Sequence, residues 1–314
     1  MVGFPFPRTT YKHLLSVIGS DVKNFTLRGG LCSRAFVPEY INNEVVRAVK
    51  YGKIDDIEKF LWDMAKRFTK DEAEAKAVFC AWEICDKFHL DLPKAKSIPG
   101  DFMYWACSLF VSSRTLFRKL FWPVVPNQKA LSFNETRYYK PYMFYTYETD
   151  PSWLDMSCFN FQQKTSDAVL EHAVKMCEEL LIPELSEAID LLDALGNDTS
   201  DYVRDLKDRI TAMRHMVFTD KALMKVQYLT HYSDKSEDKS KYKSTVKEEM
   251  LAEIENVQSF ITLLDTSKSV LIPTTSGEET VYMYKTPMSN SLKRKLIVMK
   301  NHLDDEVEGI ELVY

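Results

Sequence analysis

The chain reads as mainly α, with a helical domain of about eight to ten helices preceded by a short α/β (helix–strand) segment. Three observations predict this. Glycine is scarce, at 9 of 314 residues, against an average usage of about 7%. Leu, Lys and Glu are plentiful and long stretches lack proline, which favours helix. Apolar residues recur at helical spacing along most of the chain.

The elements follow in order. Residues 9–18 predict a short helix, with Thr9 or Thr10 as cap and Gly19 as stop. Residues 22–27 predict a strand that leaves through Arg28, Gly29 and Gly30. Asn42 or Asn43 then caps a helix carrying Val45, Val46 and Val49, which stops near Gly52. Asp55 starts the next, where Ile57, Phe60, Leu61, Met64, Ala65 and Phe68 fall on one face. Asp71 opens a third, with Ala75, Val78, Phe79, Trp82 and Cys85 inside. Residues 102–121 are aromatic-rich and helical in pattern. "WPVVPN", 122–127, is excluded from helix by its two prolines. From Asn127 to Phe161 the pattern is irregular and dense in aromatics. Three long helices follow, at about 166–195, 200–232 and 244–264. Pro183 kinks or splits the first, and Gly196 with Asn197 ends it. The polar join at 233–243 reads as a solvated loop. "SVLIP" and "TVYMYK" are short extended candidates. A helix from about Ser289 carries Leu292, Leu296, Met299 and Leu303.

This order divides the chain into a helix–strand segment, 1–40, and a helical domain, 41–314. The lone strand is a problem, because buried backbone groups without partners cost about 1–3 kcal/mol each. It pairs with the weak candidates near 270 and 281, with a second copy through Val22 to Leu27, or with a missing sheet. The last option would make residues 1–40 the end of a TIM-like barrel, with Arg28, Gly29 and Gly30 at the rim where barrel active sites lie.

Composition bounds function. The hydrophobic fraction is 45% and the charged fraction 28%, both near globular averages. A net charge of -5 and a pI near 5.8 argue against a nucleic-acid partner held on a broad basic face. Neither a signal-peptide pattern nor an apolar run long enough to span a bilayer occurs, so no membrane partner and a cytoplasmic location are expected. The six cysteines form no CxxC pair and read as reduced structural thiols. No cofactor or metal motif is present.

Candidate chemistry is sparse. "HLDDE", 302–306, reads as a solvated helix end whose like charges call for a partner such as Lys295 or Arg294. Glu278 and Glu279 are successive and point apart, which disfavours a catalytic dyad. His172 and His215 read as satisfied, partly buried side chains. Ser33, Ser112 and Ser113 lack a nucleophile-elbow context. The aromatic region 133–153 is the best ligand-facing candidate, because Asn134, Glu135 and Arg137 lie among rings suited to stacking on sugars.

The block Arg28-Gly29-Gly30 with Pro38, Tyr40, Asn42 and Glu44 resembles the end of the barrel in large bacterial glycoside-hydrolase-like proteins, where a last strand leads into a helical domain. "WPVVPN" with Glu135, Tyr138 and Tyr139 is similar to part of that domain, as are "LIPTTSGEETVYMY" and "LKRKLIVMKNHLDDE". The resemblance implies a carbohydrate partner and a sugar-site rim built from Arg28, Gly29, Gly30, Asn42, Glu44, Asn134, Arg137, Tyr138 and Tyr139. It also implies that the catalytic carboxylate pair of a glycosidase lies elsewhere, since no carboxylate immediately follows the strand. If the chain is part of an enzyme, that enzyme is a glycoside hydrolase. The rival expectation is a free-standing helical interaction or scaffold protein without catalytic activity.

Overall fold

The computed structural model describes residues 3–20, 40–92, 120, 123–139, 166–235, 239–271 and 288–308. They are mainly helical: α1 (Pro7–Ile18), α2 (Tyr40–Lys50), α3 (Ile57–Phe68), α4 (Glu72–Asp91), α5 (Phe133–Tyr139), α6 (Ser166–Met176), α7 (Ile182–Asp193), α8 (Asp201–Lys235), α9 (Lys239–Thr266) and α10 (Met288–Asn301). The predicted strand at 22–27, its exit at Arg28, Gly29 and Gly30, and the aromatic helix expected at 102–121 lie outside the described residues, save Leu120. So do most of the extended candidates after Leu271.

The chain divides into two compact units. One comprises Met1–Asp91, Pro183–Arg214 and Thr266–Tyr284; the other comprises Leu92–Ile182, His215–Asp265 and Lys285–Tyr314. The boundary expected at residue 40 adjoins residues 21–39, which are not described.

In the first unit α1 packs on α2 and α4, and α3 packs on α4. The predicted faces hold: Leu61, Met64 and Ala65 of α3 are buried, as are Ala75, Val78, Trp82 and Cys85 of α4. The helix ends are made by several devices. Asp56, one residue after the expected start, caps α3 by accepting the N–H groups of Glu58 and Lys59. α2 ends in a Schellman motif: Lys53 N–H donates to the Ala48 carbonyl and Gly52 N–H to that of Val49. Gly52 sits at φ 61°, where a Cβ is strained.

Two caps differ from expectation. α1 starts at Pro7, and neither Thr9 nor Thr10 caps it. Its free N–H groups at Arg8 and Thr9 are instead taken by the Asp86 carboxylate of α4, at 3.1 and 2.8 Å. α2 starts at Tyr40, so Asn42 lies inside it. Asp71 accepts the Glu74 N–H at 2.9 Å, while Glu74, buried, accepts the N–H of Lys70 at 3.1 Å and that of Ser200 at 3.0 Å. One carboxylate thus serves the starts of α4 and α8. Burial opposes its ionisation, but these donors and the Lys70 ammonium outweigh that and hold its pKa below the usual range.

In the second unit Val124, Leu223, Val226, Val246, Met250, Ile254, Met299 and Val307 form a core, with Leu296 and Leu303 packed against it. Pro183 does not split the helix: α6 runs through a π-helical turn, Cys177–Leu181, into α7. Pro183 has no N–H and its ring crowds the preceding turn, and the wider hydrogen-bonding pattern relieves this. Gly196, at φ 79°, closes the turn after α7 as expected. The join at 233–243 is shorter than predicted, because α8 continues to Lys235 and α9 begins at Lys239. Charged residues are compatible with a solvated helix as well as with a loop.

Candidate functional site

The residues proposed for a sugar rim are only partly brought together. Arg28, Gly29 and Gly30 are not described. Asn42 and Glu44 belong to the first unit, while Asn134, Arg137, Tyr138 and Tyr139 lie on α5 in the second. Asn42 is engaged in the fold: its Oδ1 accepts the Phe6 N–H at 2.9 Å and its Nδ2 donates to the Phe4 carbonyl at 3.1 Å. Its side-chain amide thus holds the segment that enters α1 by both its donor and its acceptor. Glu44 accepts from Arg47 on its own helix at 2.8 Å.

α5 itself was expected to be irregular. A capping box makes it helical: the Ser132 N–H and hydroxyl donate to Glu135 Oε2 at 2.8 and 2.6 Å, and the Glu135 N–H donates back to Ser132 Oγ at 3.3 Å. The Ser132 hydroxyl is the main reason that Glu135 is held below the usual carboxylate range. Phe133, Asn134 and Arg137 are exposed on this helix, Phe133 at 77%.

"HLDDE" is not simply solvated, and Lys295, one of its two expected partners, pairs elsewhere. After α10 the chain runs on as an arm, 302–308, whose acids take separate partners. Asp304 pairs with Lys247 at 2.5 Å, Asp305 with His302 at 2.6 Å and Glu306 with Lys243 at 2.7 Å. Glu308 pairs with Lys129 at 2.6 Å, and its N–H donates to the Pro126 carbonyl at 3.1 Å. His302 also reaches Glu135 at 3.4 Å. Among the described residues no group of three or more His, Cys, Asp or Glu is placed to hold a metal ion.

Lys295 is instead fully buried, and so is its partner Glu253, 2.6 Å away. The Lys295 ammonium also donates to the Leu120 carbonyl at 3.1 Å. Burial pulls its pKa below the usual lysine range, against the opposing pull of Glu253. Thr219 donates to Glu253 at 2.6 Å. Asn256 Nδ2 donates to Glu253, to the His215 carbonyl and to Thr219, and its Oδ1 faces His215 Nδ1 at 2.8 Å. His215 stacks on Phe260, so it is a satisfied side chain, as read from the sequence. Beside this network, Glu249 lies 2.6 Å from both Lys221 and Lys225, and Lys225 reaches Glu178 at 2.8 Å. Glu249 is partly buried, which disfavours its charge, but the two lysines outweigh this and lower its pKa. These polar groups bond to one another and tie α8, α9 and α10 together.

An apolar feature remains on α1. Tyr11, Leu15 and Ile18 fall at i, i+4 and i+7 on one face; Leu15 is 47% and Ile18 49% exposed, while Leu14 is buried. No helix among the described residues is long and apolar enough to cross a membrane. No family model, curated protein or solved structure matches the chain.

Proposed function

We propose that this chain is a helical interaction or scaffold protein without catalytic activity of its own, and that its partner is a second copy of the same chain. The α1 stripe carries this reading. Single exposed apolar residues are ordinary, but large ones in helical register mark a surface that another surface covers. The stripe runs in sequence straight toward Val22 to Leu27, whose pattern is that of a strand edge. A two-fold pairing needs only one such self-complementary patch. The test is light scattering on a sizing column over a concentration series, with the Leu15→Glu/Ile18→Glu variant beside the unaltered chain. A concentration-dependent dimer is expected, reduced to a monomer of unchanged far-UV spectrum in the variant. An unaltered chain that stays monomeric throughout overturns the reading.

A second reading, a carbohydrate-binding rim, is favoured by one observation: the exposed Phe133 stands beside exposed Asn134 and Arg137 on α5. An aromatic face with an amide and a guanidinium is a sugar-stacking combination. Oligosaccharide titration of the chain and of Phe133→Ala tests it, and equal responses would remove it.

A further inference from the structure

We infer that Asp91 and Glu184 form a proton-operated fastener between the last turn of α4 and the first turn of α7: a proton held between the two carboxyls closes it, and loss of that proton loosens it. Both residues belong to the first unit. Both stand where the chain passes out of it, between Asp91 and Leu92 and between Ile182 and Pro183. Both are buried, Glu184 at 4% exposure and Asp91 at 8%. The two Glu184 oxygens are out of solvent; the Lys87 ammonium lies 2.7 Å from Oε1, and no backbone, hydroxyl or amide donor among the described residues bonds to either. The Asp91 carboxyl is hydrogen-bonded to Glu184. Ionised carboxylates only accept, so a bond between two of them needs a proton on one.

The charge balance favours that proton. The charged groups facing the pair are Lys87 on α4 and, beyond it, Glu187 on α7. One ammonium therefore faces three acids. Its side chain is 61% exposed, and water screens a charge held there. Burial raises the Glu184 pKa above its usual range; Lys87 opposes this, while the charge of Asp91 and the bond to it add to the rise. Folded Glu184 thus keeps its proton to a higher pH than the unfolded chain does. The stability it gives is complete below the ordinary value of 4.5 and is lost as pH rises through the folded value. Once the proton has gone, two buried negative charges stand side by side at the α4–α7 junction and repel each other.

The experiment uses the full chain. Urea unfolding is followed at pH 4.5 and pH 7.5 for the unaltered chain and for Glu184→Gln, which keeps the shape, donates to Asp91 and does not titrate. Groups elsewhere titrate alike in both chains and cancel. Between these pH values the folding equilibrium constant of the unaltered chain should fall at least about threefold more than that of the variant. An equal or smaller fall overturns the fastener, because it means an ionised Glu184 held by Lys87 alone. A variant that does not fold leaves the decision to the unaltered chain, where the carboxyl carbon shift of Glu184 is followed by NMR against pH. A midpoint above the ordinary value supports the proposal, and one at or below it overturns it. Asp91→Asn should then move that midpoint down; an unmoved midpoint assigns the shift to burial alone and removes the pair.

Discussion

Lowering the pH should loosen the first unit through His89. Its ring stacks on Phe6, with centroids 4.0 Å apart and planes 7° from parallel. Burial, with a smaller contribution from the nearby His13, lowers its pKa from 6.5 to about 4. The folded chain therefore binds fewer protons than the unfolded chain between those values. A depressed histidine gives stability that is complete above pH 6.5 and is lost as pH falls toward 4. Integrating the linkage relation from pH 7 to pH 5 gives a loss of about 2 kcal/mol from this one group. The attraction of an imidazolium for the Phe6 ring, about 0.5–1 kcal/mol at most exposed sites, acts the other way. The assay is urea unfolding at both pH values for the unaltered chain and for His89→Phe, which keeps a ring against Phe6 but cannot titrate. Carboxylates elsewhere titrate equally in both chains, so the difference between the two pH dependences isolates His89. The unaltered chain should lose about 1–2 kcal/mol more than the variant over this interval. Equal losses would refute a partly buried, neutral His89.

Three further outcomes are expected. Lys295→Met alone strands the Glu253 charge and should cost about 3–5 kcal/mol, whereas adding Glu253→Leu should restore most of it, both read by thermal and urea unfolding. Asp86→Ala removes the acceptor for two N–H groups at the start of α1 and should cost about 2 kcal/mol, with the earliest loss of hydrogen-exchange protection within α1. Gly52→Ala meets no atom within 4 Å of the added Cβ, so its cost of about 1 kcal/mol comes from the positive φ alone, and urea unfolding reads it.

Much of the helical architecture was legible because it rests on local signals. The faces of α3 and α4, the glycine stops at Gly52 and Gly196 and the departure from α geometry before Pro183 all follow from periodicity and backbone stereochemistry. The cap of α1 was not legible, because Asp86 lies far along the sequence and no local pattern points to it. α5 was missed although its signal stands in the chain: Ser132 and Glu135 have capping-box spacing, and the aromatics around them drew attention to a loop instead. The buried ion pair had a signal too. Glu253 falls at the third position of the series Val246, Met250, Glu253, Val257, Phe260, and Lys295 at the third of Met288, Leu292, Lys295, Met299. Each is a charge on an apolar stripe, and the two are opposite. Around them, Met216, Val217, Ala222, Leu223 and Met224 are all buried, so that part of α8 is enclosed nearly all round. Reading "HLDDE" as a helix end assigned Lys295 outward and concealed its role. Of the proposed rim, Asn134 and Arg137 are exposed, while Asn42 is committed to the fold.

The π turn sets the angular phase of the segment that contains it. Ala173, Cys177, Leu181 and Leu185 are all buried, and they are spaced by four. On an α-helix a step of four overshoots a full turn by about 40°, so three steps would drift by about 120°. A turn that winds less per residue absorbs part of that drift. The π turn holds about one residue more than an α-helix would over the same rotation, so losing one residue there, Glu179 for example, lets the turn tighten to α while the buried stripe keeps its phase. A single deletion at this solvent-facing position should therefore be tolerated better than a deletion within α6 or α7.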